Sequence, residues 1–361
     1  MEMRRLGTAK KPMIVVQNAT VGQFVNDAKK LYPNAKILTL TERDRTPEGR
    51  RAFYGRIKYS DWDLIIVPQS TFDMIPDSPE RQLTFIKERI DEKMHALEVM
   101  QEIEGDENQI RQLENELSEL QSEYTATSEK LKEDKQGKKK DRKREEKSKQ
   151  NIAARAKEQL DRKVDEVQYF DEMGIDAILV DEAHEYKRLG FSTAMTRGVK
   201  GIDPAGSKKA AGVYLKTRAV LEQNGWKNVI FATGTPISNT AAEIWTFMRY
   251  LMPKSVLKEN EIYYFDDFVR NFGAISQSLE FATSGKFKEN TRFAAYINKP
   301  ELIRLWSSVS DTVLTKDISY VNDKIPRLEK DVHQDIFLPQ SDSLISVSYT
   351  HLRAHETAAN L

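Results

Sequence analysis

Two short stretches hold the side chains best suited to chemistry. Asp181-Glu182-Ala183-His184 follows the apolar run Ala177-Ile178-Leu179-Val180, and Thr233-Gly234-Thr235-Pro236 follows Val229-Ile230-Phe231-Ala232. An aspartate at the end of a buried strand can hold Mg²⁺ through water, and an adjacent glutamate can polarise an attacking water. For an isolated Asp-Glu pair the competing reading is that the carboxylates cap the helix that follows. Four specified residues after one apolar strand, with a second strand ending in Thr-Gly-Thr-Pro, favour the chemical reading. Other chemistries are excluded by composition. The chain has no cysteine, so it has no thiolate nucleophile, thiolate metal site or disulfide framework. Its five histidines include no metal-ligand spacing.

These stretches need strands to position them. Pro12 to Val16, Lys36 to Leu40, Asp63 to Val67, Asp176 to Val180 and Asn228 to Ala232 are apolar on consecutive positions, as strands buried on both faces are. Helical patterns at Val21 to Tyr32 and Lys209 to Asn224 lie between them, which predicts an α/β fold with a parallel sheet and its chemistry beyond the carboxyl ends of the strands. Tyr263, Tyr264, Phe265, Phe268 and Phe272 fall at near-helical spacing and read as core before base-stacking residues.

The 361 residues carry 56 Lys+Arg against 56 Asp+Glu, yet the charges are not evenly spread. Residues 76 to 170 hold 20 bases and 24 acids; within them 77 to 129 carries 15 acids and 5 bases, and 130 to 163 carries 15 bases and 7 acids. Neutrality is therefore a cancellation between neighbours and does not exclude a local nucleic-acid site. Ile110, Leu113, Leu117, Leu120, Tyr124 and Leu131 trace a heptad seam. Ile152, Ala156, Leu160, Val164 and Val167 trace a second, with Gln136-Gly137 as the expected reversal. Arms of 107 to 135 and 138 to 168, each about 45 Å long, would form an antiparallel coiled-coil hairpin. The run Leu83, Ile86, Ile90, Met94 and Leu97 predicts an earlier helix packed on the sheet domain. The basic cluster Lys138 to Arg144 reads equally as a solvated tip or a phosphate contact. No stretch approaches the roughly 18 apolar residues of a membrane span. Met1 to Lys11 lacks the apolar centre of a signal peptide, and with no cysteine a cytoplasmic protein is expected.

With those residues in view, the sequence resembles the Swi/Snf-type branch of the superfamily 2 helicases and translocases. Asp181-Glu182-Ala183-His184 matches motif II, a DEAH box, and Thr233-Gly234-Thr235-Pro236-Ile237-Ser238-Asn239 matches motif III, continuing through Glu243-Ile244-Trp245. Ile14-Val15-Val16-Gln17-Asn18 looks like motif Ia, and Ile65 to Phe72 like the next DNA-facing element. More narrowly, Asp266 to Phe272 and Lys324 to Leu328 are similar to the helicase part of large methylase-helicase proteins of phages and conjugative elements. The resemblance implies a first RecA-like (P-loop NTPase) lobe built from 1–72 and 171–252. A charged helical insertion would occupy 73–170 and a helical extension 253–346. Residues 347–361 look like a translated sequencing adapter, with a short amphipathic tail as the alternative.

The resemblance also implies roles. Asp181 would hold Mg²⁺ through water and Glu182 would act as general base toward ATP. His184 would contact Thr233, Gly234, Thr235 and Asn239, coupling nucleotide state to double-stranded DNA. Gln17, Asn18, Thr20, Gln69, Ser70 and Thr71 would touch the DNA, although Thr20, Ser70 and Thr71 read as readily as helix N-caps. Lys187, Arg188, Arg197, Lys200, Lys208, Lys209, Lys216 and Arg218 read as solvated loop residues by default, with DNA or a second lobe as the sharper alternative. No Gly-x-x-x-x-Gly-Lys-Ser/Thr run occurs, so the phosphate loop is expected just before Met1 and the chain is expected to be inactive alone. A second RecA-like lobe and a methyltransferase domain are the expected partners in the parent protein. The rival readings are a coiled-coil interaction module on a degenerate lobe and non-catalytic DNA binding.

Overall fold

The apolar runs assemble into one parallel sheet. In the computed structural model, which describes residues 1–102, 107–146, 168–195, 202, 204–238, 242–281, 287–314, 317–318 and 324, a short helix α1 (Glu2–Arg5) precedes β1 (Pro12–Val16). There follow α2 (Val21–Leu31), β2 (Ile37–Thr39), α3 (Pro47–Tyr59), β3 (Leu64–Pro68) and α4 (Gln69–Met74). Two long helices, α5 (Pro79–Glu102) and α6 (Glu107–Glu146), come next, then β4 (Ala177–Val180), α7 (Lys208–Gln223), β5 (Val229–Phe231) and α8 (Ala242–Leu251). After them come α9 (Lys254–Glu259), α10 (Phe265–Phe272), β6 (Gly273–Phe281), β7 (Phe287–Tyr296) and α11 (Lys299–Ser307). The large sheet runs β2-β3-β1-β4-β5 with every neighbour parallel. Two compact units are distinguished, Met1–Ser310 and Asp311–Leu361; in the second, the Leu314 amide donates to the Asp317 carboxylate at 2.9 Å.

Both faces of the central strands are covered, which is why their sequences lack alternation. Met13, Val15, Ile65, Val67, Ile178 and Val180 face the larger core, which α3, α7 and α8 complete through Phe53, Ile57, Val213, Phe247 and Tyr250. Val16, Leu64 and Ile66 point the other way, onto Phe24 and Val25 of α2. On β5, Val229 and Phe231 join the larger core while Ile230 between them is 49% exposed. Helix α8 is buried along nearly its whole length because it is a wall of two cores. Phe247 and Tyr250 belong to the first, and Trp245 and Met248 to a second with Phe265, Phe268 and Phe272. Of the aromatic run, Phe265, Phe268 and Phe272 are core, as their spacing predicts, whereas Tyr263 is exposed and Tyr264 half-buried.

Two expectations are corrected. Helix α6 passes through Gln136-Gly137 and continues to Glu146, so the chain does not reverse there. A glycine inside a run of strong helix formers costs only about 1 kcal/mol, less than breaking the helix. Among the described residues α6 packs on α5: Lys93 bonds to Glu116, each about the same distance from the 103–106 connection, which makes the two antiparallel. The second seam, from Ile152 to Val167, and the 347–361 tail lie outside the described residues. The region after residue 253 is not wholly helical, because β6 and β7 form an antiparallel ribbon with a bulge at Ala274/Ile275. Ile275, Leu279 and Phe281 alternate with Ser276, Ser278 and Glu280, with Gln277 the one polar residue out of phase, a period of two that favours a strand. Gly273 is required where α10 meets the ribbon: a Cβ there would lie 2.7 Å from both the Phe293 ring and Val269.

Candidate active site at the strand ends

Strand register puts the chemical residues on one edge of the sheet. Val16 is level with Pro68, Val15 with Val180 and Val180 with Phe231, so Gln17, Gln69, Asp181 and Ala232 emerge together at the carboxyl ends. The backbone at Asp181 is pinned from three strands. Its amide donates to Val15 O at 2.8 Å, its carbonyl accepts from Gln69 Nε2 at 3.0 Å, and the Ala183 amide donates to Ala232 O at 2.9 Å. Glu182, between these anchors, is left-handed at φ 51°, ψ 48°. That region disfavours a long side chain, and such strain persists only where the surroundings impose it. Glu182 precedes a short 3₁₀ turn, Ala183–Tyr186, but its side chain makes no capping bond, so the structural alternative to the chemical reading is not realised at this residue.

His184 faces the other strand end. Its Nδ1 lies 3.1 Å from Thr233 Oγ1 and also 3.1 Å from Glu182 Oε2. Thr233 Oγ1 accepts the Thr235 amide at 3.1 Å, a turn that orders Thr233-Gly234-Thr235. Asn239 lies outside the described residues. Behind the site, the Tyr186 hydroxyl donates to Asp73 at 3.1 Å, and burial pushes the Asp73 carboxyl above the usual range despite Lys209 nearby. Among the described residues no group of three or more His, Asp or Glu could enclose a metal. The donor set, Asp181 with Glu182 next to it, suits an ion that keeps several waters and takes other ligands from phosphate, as Mg²⁺ does.

The six residues expected at DNA divide. Asn18 and Ser70 are exposed, and Ser70 Oγ donates to Asn18 Oδ1 at 3.0 Å. Thr20 stands at the N-cap of α2 without capping it, its hydroxyl donating instead to the carbonyl of half-buried Gln17 at 3.1 Å. Gln69 and Thr71 are buried at 7% and 4% exposure, which removes them from direct surface contact. Pro68 is the N-cap of α4, so Ser70 and Thr71 are not caps. A sequence cannot say which residues of a helix's first turn face inward.

The basic residues between the two motifs are also corrected, since several hold the fold. Lys216, 1% exposed, pairs with Asp77 at 2.9 Å, and buried Arg218 donates to the carbonyls of Arg249 and Met252. Lys187 pairs with Glu243 at 3.1 Å, and the Ser238 amide donates to Glu243 at 2.6 Å. Glu243 thus ties the turn after β4 to the segment after Pro236, a link that local spacing does not reveal. Lys209 lies 3.5 Å from Glu185. Arg197 and Lys200 fall outside the described residues.

A parallel α/β sheet with acidic and hydroxyl residues converging at its carboxyl edge is the class of protein defined so far. The chain belongs to the family described as "Probable helicase domain", which matches residues 1–142 and 105–313. It is also similar to Defense against restriction protein B of Escherichia phage P1, 25% identical over 199 residues, covering 55% of this chain and 9% of that protein. The chain therefore spans a small fraction of that relative's length. No solved structure matches it. The family gives the chain a helicase-related function, and no helix among the described residues is long and apolar enough to cross a membrane.

Proposed function

We propose that the chain is the ATP-binding lobe of a Swi/Snf-type helicase or translocase that acts on double-stranded DNA in the cytoplasm. Its partners would be a second RecA-like lobe and a methyltransferase domain of a larger protein. The observation that carries this reading is the shared nitrogen of His184, 3.1 Å from both Glu182 and Thr233. An unprotonated Nδ1 accepts the Thr233 hydroxyl; a protonated one donates to Glu182. One nitrogen cannot fully satisfy both, so the position of the Thr233–Thr235 turn sets the freedom of the Glu182 carboxylate. Asp181, fixed through its backbone to β1 and Gln69, is the residue that would hold Mg²⁺. Mg²⁺, when bound, neutralises charge on the phosphates. Glu182 orients the attacking water and accepts its proton. Asn18 and Ser70, with Gln17 and Thr20 behind them, position a DNA strand through its phosphates without reading bases.

The test is duplex binding and nucleotide turnover measured on one preparation. The chain is expected to bind duplex and to turn over no significant ATP alone, since it has no glycine-rich phosphate loop. Turnover abolished by Glu182→Gln would overturn the second expectation, and failure to bind duplex the first.

A further inference from the structure

Beyond β1, β2 and β3 lies a cavity of about 430 Å³ that brings Asn18 and Ser70 together with Arg45 and Arg50. We propose that Arg45 and Arg50 clamp the sugar–phosphate backbone of duplex DNA at this cavity, extending the track that Asn18 and Ser70 begin. The inference rests on the DNA-binding reading above.

The turn that carries the arginines is built to hold them. Asp44, 3% exposed, accepts the Thr41 amide and hydroxyl, both at 2.8 Å, and Arg56 at 2.6 Å, so its charge is spent inward. The Arg43 carbonyl lies so close over Gly49 that a Cβ there would be 2.0 Å from it, which locks the turn onto the start of α3. With Asp44 and Arg56 paired, the stretch 42–51 sets Arg43, Arg45, Arg50 and Arg51 against Glu42 and Glu48, leaving a local excess of positive charge.

Two features favour an anion here. Arg50 and Arg51 sit near the amino end of α3, where the helix dipole disfavours cations. Arg50 donates to the Arg45 carbonyl at 2.5 Å and Arg51 lies 3.9 Å from Glu48, bonds that use only part of each guanidinium's five donors. Among the described residues Arg45 pairs with exposed Glu42, at 3.0 Å, an ion pair of little worth in water that a phosphate can replace. Arginine's planar fork matches phosphate oxygens two at a time.

Anisotropy of a labelled 20-base-pair duplex, titrated with the whole chain across a salt series, tests this. For Arg45→Gln/Arg50→Gln we expect about a tenfold loss of affinity and a salt slope shallower by about 1.8, the release of two counterions. Arg45→Lys/Arg50→Lys should keep the slope. Glu42→Gln, which frees Arg45, should tighten binding several-fold, a gain that misfolding cannot mimic. Wild-type binding matched in affinity and slope by the double Gln variant overturns the inference alone. A wild-type chain that binds no duplex overturns both the inference and the reading beneath it. Inorganic phosphate at constant ionic strength should not displace the duplex; displacement at micromolar phosphate assigns the arginines to a free-anion site and overturns the proposal.

Discussion

Glu182 holds the least comfortable backbone in the candidate site, and its strain is separable from its chemistry. Asparagine tolerates the left-handed region better, so Glu182→Asn is expected to raise unfolding free energy by about 0.5–1 kcal/mol in urea titrations while removing the carboxylate. Loss of stability instead would mean that the carboxylate's contact with His184 outweighs the strain. That Asp181, Glu182, His184 and Thr233 stand close to strand ends is legible from local pattern, because each lies within a few residues of an apolar run. That His184 shares one nitrogen between Glu182 and Thr233 was not legible, since it depends on the β4–β5 register and on side-chain rotamers.

The strands and the turn before α3 make predictions at the scale of the element. Ile178 is wholly buried whereas Ile230 on the neighbouring strand is 49% exposed. Chemical denaturation is therefore expected to show Ile178→Ala losing about 3 kcal/mol and Ile230→Ala less than about 1 kcal/mol. Burial alone would raise the Asp44 carboxyl, but the Thr41 bonds and Arg56 outweigh it and hold it below the usual range. A lowered folded-state value means stability present above the unfolded value of 3.8 and lost as pH falls through the folded one. Asp44→Asn should reduce stability at pH 7 and flatten its decline below about pH 4. Apolar runs mark β1 to β5, whereas the β6–β7 ribbon departs from the helical extension that the family resemblance implies, although its near-alternating pattern is present in the sequence.

Across the whole molecule, part of the charge is internal. Arg249, 5% exposed, pairs with Glu92 at 2.6 Å and donates to Gly190 O at 2.8 Å, joining α5 to α8 and the segment after β4. Burial pushes the Glu92 carboxyl up, and Arg249 opposes it. Removing one partner strands the other, so Arg249→Met should cost about 3–5 kcal/mol, and Glu92→Met/Arg249→Met should recover most of that loss. A double variant as unstable as the single one would show that the Gly190 contact, not the ion pair, carries the effect. Lys254–Glu88 and Arg81–Glu222 add further links between α5 and the sheet domain.

The sequence by itself determined the parallel sheet and put Asp181, Glu182 and Thr233 at its strand ends as candidates, because burial on both faces leaves its mark in consecutive residues. Only the tertiary structure decided which hydroxyls and amides face solvent, which lysines and arginines are internal, and which helix pairs with α6. The first two depend on residues far apart in the chain meeting across β1, β3, β4 and α8, and the third on the chain reversing between α5 and α6; no local spacing encodes such meetings.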